Sequence, residues 1–102
     1  MTLNNAEKKH FRAIGHKLKP VVSIAQKGLT ENIRIDLKRA LDDHELIKIK
    51  LLATSKEEKK ALMTTICDEF NAQCVQSVGH MVLLYLAAKQ SKPRLSNLKR
   101  SV

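Results

Sequence analysis

The sequence predicts an α/β domain: a two-layer sandwich with a mixed four-stranded sheet, its helices mainly on one face, in the order α-β-α-β-α-β-β. Three observations lead there. The stretch Leu46-Ile-Lys-Ile-Lys-Leu-Leu52 alternates apolar residues with Lys48 and Lys50, the pattern of a strand buried on one side. Ser55 followed by Glu58 is a capping-box signal, and it opens a helical stripe of Leu62, Met63, Ile66, Cys67 and Phe70. Helical segments separate the first three strands, which implies parallel pairing through right-handed crossovers, whereas the last two strands lie too close together for anything but an antiparallel pair.

The elements follow in order. Asn4 or Asn5 can cap a first helix running to about Ile14, with Gly15 as its stop. Phe11, Ile14 and Leu18 share one side of it, while Lys8, Lys9 and Arg12 group on the outer side. Pro20 fixes its own φ and pushes Lys19 into an extended conformation, so that Val21 to Ala25 read as a short β-branched strand. Gly28 breaks the strand, Thr30 is a good N-cap, and Glu31 suits the positive end of the helix that runs to about Asp43. That helix places Ile33, Leu37, Ala40 and Leu41 on one side, and His44 with Glu45 makes the turn into the second strand. Asn71 closes the third helix. Cys74 to Val78 and Met81 to Leu86 are strands separated by a reversal or bulge at Gly79-His80. Residues 1–88 thus form one domain, and the segment from Lys89 to Val102, rich in Lys, Ser, Pro and Asn, reads as a mobile basic tail.

Charge placement narrows the partners. The chain has 102 residues and a net charge of +9, concentrated at its ends. Residues 1–28 carry six Lys/Arg against one acid, residues 29–88 carry eight against nine, and the tail carries five and no acid. A near-neutral middle between two basic ends favours a polyanionic partner. A membrane surface would need a basic amphipathic helix with large apolar anchors, and the first helix offers only Phe11, so no membrane partner is expected. No apolar run is long enough to span a bilayer, and the N-terminus lacks a signal-peptide stretch, so the expected compartment is the cytoplasm. Cys67 and Cys74 suit reduced thiols there.

The four histidines (His10, His16, His44, His80) are scattered without a nucleophile or metal partner, and no phosphate-loop or dinucleotide motif occurs. Neither an enzyme, a metal site nor a cofactor is expected. With only Phe11, Phe70 and Tyr85 as aromatics, binding through backbone and shape suits the composition better than aromatic stacking. The unit of strand, tight loop and helix start around Lys27, Gly28 and Thr30 offers free N–H groups and a lysine, a setting that suits phosphate; an ordinary strand-to-helix turn has the same composition.

Four separated stretches, Leu18-Lys-Pro-Val-Val22, Gly28-Leu-Thr-Glu31, His44-Glu-Leu-Ile-Lys-Ile-Lys50 and Gly79 ahead of Val82-Leu-Leu-Tyr85, resemble in order the CRM domain, and more closely the bacterial single-domain YhbY-like proteins. The resemblance covers about residues 3 to 86. It implies a fold similar to the C-terminal domain of translation initiation factor three, RNA binding, and association with precursors of the large ribosomal subunit. It also implies a Gly-x-x-Gly loop comparable in role to that of KH domains. Here the loop reads Ala25-Gln26-Lys27-Gly28, with alanine for the first glycine, and Leu86 stands where the family commonly has arginine. The expected RNA-binding residues are Lys8, Lys9, Arg12, Lys17 and Lys19 for phosphates, Gln26, Lys27, Gly28 and Thr30 at the loop, and Lys48 and Lys50 from the sheet. The expected partner is ribosomal RNA or a large-subunit precursor, bound by a monomer. A translation-factor-like binder of mature ribosomes and a basic protein-interaction module are the alternatives.

Overall fold

The computed structural model describes residues 3–25, 28–52, 55–87 and 96. The elements are α1 (Asn5–Gly15), β1 (Pro20–Ile24), α2 (Glu31–His44), β2 (Leu46–Leu51), α3 (Lys56–Phe70), β3 (Gln73–Val78) and β4 (Met81–Tyr85). The sheet order is β1-β2-β4-β3. β1 lies parallel to β2, and β4 runs antiparallel to both β2 and β3. The two strand–helix–strand units therefore differ. The first pairs its strands directly, and the second leaves a gap that the last strand fills.

Each helix starts on a side-chain cap. Asn4 Oδ1 accepts from Glu7 N at 2.8 Å while Glu7 Oε1 accepts from Asn4 N at 3.2 Å, so α1 opens on a full capping box. Thr30 Oγ1 accepts from Ile33 N at 3.3 Å, and Ser55 Oγ from Glu58 N at 3.1 Å. α3 ends at Asn71 in the left-handed conformation, φ 56°. Glu45 ends α2 at φ 60°, a conformation that costs a non-glycine residue about 1–3 kcal/mol. The surroundings hold it there: its carbonyl accepts from Leu86 N at 2.9 Å, joining the start of β2 to the end of β4.

Strand alternation divides the apolar residues between two faces. Val22 and Ile24, Ile47, Ile49 and Leu51, and Val82 and Leu84 share one face in register. They pack under Leu37, Ala40 and Leu41 of α2 and Ile66 of α3 in the larger core. The opposite face carries Leu46, Val75 and Leu83, which pack against Leu3 and Phe11 with Ile14, Leu18 and Tyr85 at the margin. The expected mixed sheet with helices mainly on one face is what the structure shows, and α1 is the helix on the other side. Phe11 and Tyr85 meet there as tilted rings with centroids 4.8 Å apart.

Gly15 ends α1 as expected, and it has a second role as well. It is the last residue of α1, it is buried, and a Cβ built on it would lie 2.7 and 2.8 Å from the two methyl carbons of Leu83. The missing side chain is what lets α1 approach β4. Gly15→Val is expected to destabilise the domain by about 1–3 kcal/mol, because Leu83 is itself buried and has little room to move. Urea unfolding checks this; a neutral or stabilising result would mean that α1 lifts off the sheet at no cost.

Among the described residues no helix is long and apolar enough to cross a membrane. Of the tail expected from residue 89 onward, Ser96 alone is described, and it is fully buried.

Candidate functional site

The connections from β1 to α2 and from β2 to α3 leave the carboxyl ends of neighbouring parallel strands, a common place for ligand sites in α/β folds. That end is tied together by hydrogen bonds to backbone carbonyls. Leu52 N donates to Ile24 O at 2.8 Å, Leu51 N to His80 O at 2.7 Å, and Lys59 Nζ to Gly79 O. In the β1–α2 connection Gly28 N donates to Ala25 O at 2.9 Å and Thr30 N to Gly28 O at 3.1 Å. The positive φ falls on Gly28, at 73°, and not on Ala25. Alanine at the first loop position is therefore compatible with this backbone, and Gly28 is the residue that needs its freedom. Gln26 and Lys27, both expected at the loop, lie outside the described residues.

Arg34 holds this connection in place. Its Nη1 donates to Leu29 O at 2.6 Å and its Nε to Glu69 Oε1 at 2.8 Å, joining the start of α2 to the last turn of α3. A cation in the first turn of a helix opposes the dipole. With its side chain 44% exposed and that of Glu69 38%, the pair contributes little stability, so its consequence is positional.

The expected phosphate ligands divide into three groups. Lys8, Lys9 and Arg12 lie on α1, Lys8 half-buried and the other two exposed. Lys17 and Lys19 are exposed in the link from α1 to β1. Lys48 and Lys50 are half-buried on β2, on the face that α1 only partly covers. In register Lys48 neighbours Pro20 and Leu83, and Lys50 neighbours Ser23 and Met81. β1 thus leads from Lys19, past Lys48 and Lys50, to the Gly28 connection, over five residues or about 16 Å. Register places Lys48 and Lys50 beside β1, which starts next to Lys19 and runs toward Gly28. Lys8 and Lys9 sit apart, in the part of α1 nearer Leu3, whose N–H bonds Gln73.

Beside this track the sheet face is open. Past Leu83 it exposes Met81, Gln76 and Val78, the last 63% exposed, and these residues form a groove with Gly15, His16 and Lys48.

A CRS1 / YhbY (CRM) domain model matches residues 3–85. The chain belongs to that family. It is 43% identical over 100 residues to a "Probable RNA-binding protein" of Pseudomonas aeruginosa, covering 98% of this chain and 96% of that one. It is 35% identical over 94 residues to an "RNA-binding protein" of Haemophilus influenzae, covering 92% and 95%. The solution structure of a hypothetical protein from Staphylococcus aureus superposes with a TM-score of 0.76 at 28% identity, covering 89% of this chain and 95% of the other.

Within this CRM domain, Arg34, His16, Gln76, Val78 and Met81 border the candidate surface in addition to the residues expected from the sequence. Arg34 had a signal: an arginine where the dipole disfavours one implies a specific partner. The groove residues had none, because a strand pattern says nothing of how much of a face a helix will cover. Cys67 and Cys74 are half-buried, and burial pushes both thiols above their ordinary range, which leaves them neutral and poor nucleophiles near neutral pH. Burial also raises the Tyr85 hydroxyl, with Glu45 and Glu7 adding to the effect. Among the described residues no group of three or more His, Cys, Asp or Glu is placed to hold a metal ion.

Proposed function

We propose that this CRM domain binds RNA and acts in assembly of the large ribosomal subunit, on ribosomal RNA or its precursor. The observation that carries the reading is the placement of Lys48 and Lys50 on one face of β2, each paired in register with β1, the strand that starts next to Lys19 and runs toward the Gly28 turn. Amines on a firm strand meet phosphates at fixed positions, and such contacts set affinity and register without reading sequence. The names of the Pseudomonas and Haemophilus relatives agree with an RNA partner, and the family resemblance supports the ribosomal assignment. In this reading the protein is a cytoplasmic monomer that acts by binding and carries out no catalysis.

Ultraviolet crosslinking in cells, followed by sequencing of the attached RNA, tests the proposal. Reads gathered at a few positions of large-subunit ribosomal RNA or its precursor, with the protein sedimenting among precursor particles, are the expected result. Sedimentation with finished ribosomes alone would move the role to translation. Partners that stay bound after nuclease treatment, with no RNA crosslinked, would overturn it in favour of protein interaction.

A further inference from the structure

We infer that the groove between the C-terminal end of α1 and the open half of the sheet receives one unpaired nucleobase of the bound RNA strand. The inference rests on the RNA-binding reading above and adds to it a site for a base, where that reading has only phosphate contacts.

Three features of the groove carry it. Its floor is apolar and continuous across strands: Val78 pairs in register with Met81 on β4, and Leu83 lies between Gln76 on β3 and Lys48 on β2. Its volume, about 200 Å³, suits a single small group. Its polar groups come from three directions: His16 at the end of α1, Lys48 from β2 and the Gln76 amide from β3.

Gln76 reaches this face through an irregularity of the strand. The β3–β4 register shifts between Cys74 and Gln76, so Cys74 stands opposite Leu84 while Gln76 stands opposite Leu83. Strict alternation would send Gln76 to the α3 side, because Val75 already packs in the α1-side core. The bulge puts both on one face, and re-aiming a side chain is what bulges commonly do beside binding sites. A half-buried amide with two donors and an acceptor is well suited to the edge of a base.

Charge decides between a base and an apolar peptide side chain. No acid is among the residues that line the groove, Lys48 forms part of its wall, and Lys50 lies beside Met81 in register. The ligand they fit has an anionic backbone and flat apolar side groups, which describes a single nucleic-acid strand. A duplex keeps the faces of its bases stacked inside and would leave the groove empty. Among its lining residues the groove has one aromatic ring, the His16 imidazole, and Met81 adds a polarisable contact to the base.

The test compares a short unstructured RNA with a strand of tetrahydrofuran spacers of equal length and charge, each titrated against the full chain and against Val78→Ser/Met81→Ser. The native protein should prefer the base-bearing strand by about tenfold, the size of one base contact. The variant should lose that preference and keep its affinity for the spacer strand and its salt dependence. Val78→Ser alone, at a position 63% exposed, guards against a folding defect and should lose part of the preference. Equal affinity of the native protein for the two strands would overturn the inference and leave the phosphate track intact. A preference that survives in the variant, or a variant unaltered in every RNA measurement, would assign the groove to another partner such as a peptide. No binding of either strand at low salt would overturn the RNA-binding reading itself.

Discussion

Replacing Lys48 and Lys50 together by alanine is expected to weaken binding of short single-stranded RNA about 25-fold at 0.1 M salt and to flatten the log–log salt slope by about 1.4. The native slope should be near roughly −3.5 if about five phosphates are neutralised. Both lysines lie on the face of β2 that carries no part of the larger core, so the fold should survive their loss. Lys56→Ala/Lys60→Ala, which removes the same charge from the exposed start of α3, should change affinity much less. Filter binding at several salt concentrations reads all of this. Equal losses from the two pairs would show that net charge, and not the lysine track, attracts RNA; a native slope near zero would remove the electrostatic mechanism altogether.

Ile49→Ala should be the most damaging single change to stability, at about 2–5 kcal/mol. Ile49 has no exposed surface, and it lies in register between Val22 of β1 and Val82 of β4, in the core beneath α2. Truncation removes apolar contacts on both sides and leaves a cavity that two hydrogen-bonded neighbours cannot close. Against a total of about 5–15 kcal/mol for a typical domain, that loss can unfold a large share of the molecules at growth temperature. Ile35→Ala, at an exposed position on α2, should stay within about 0.5 kcal/mol. Urea midpoints at constant m-value would separate the two, and similar losses at both sites would contradict the division into core and surface described above.

Much of the fold can be read from short-range signals. The alternation from Leu46 to Leu51, the caps at Thr30 and Ser55 and the stop at Asn71 each depend on residues within a few positions, and each element stands where those signals put it. What could not be read depends on contacts between distant segments. Gly15 has the composition of a helix stop, but its use depends on Leu83, far along the chain. The insertion of β4 between β2 and β3 leaves no local trace, since hydrogen bonding would satisfy β3 equally well beside β2. The same limit applies to the candidate site. Its lysines are visible as charges, whereas the groove exists only because α1 covers one end of a sheet face and a bulge in β3 turns Gln76 toward the other. Arg34 lies between these cases, as a local misfit whose partners are remote.

The place of β4 has a consequence for how the protein is made. Ile49 meets Val82, thirty-three residues later, and this pairing joins two halves that otherwise share no strand. A nascent chain can form the parallel pair of β1 and β2 early, but the sheet cannot close until the final strand has left the ribosomal tunnel. At about 5–20 residues per second, β2 presents an unpaired edge for a few seconds before β4 is made, and β3 for about a second. Lys48 and Lys50 lie along the first of those edges. Their charges, whatever they later bind, keep two such unfinished chains apart.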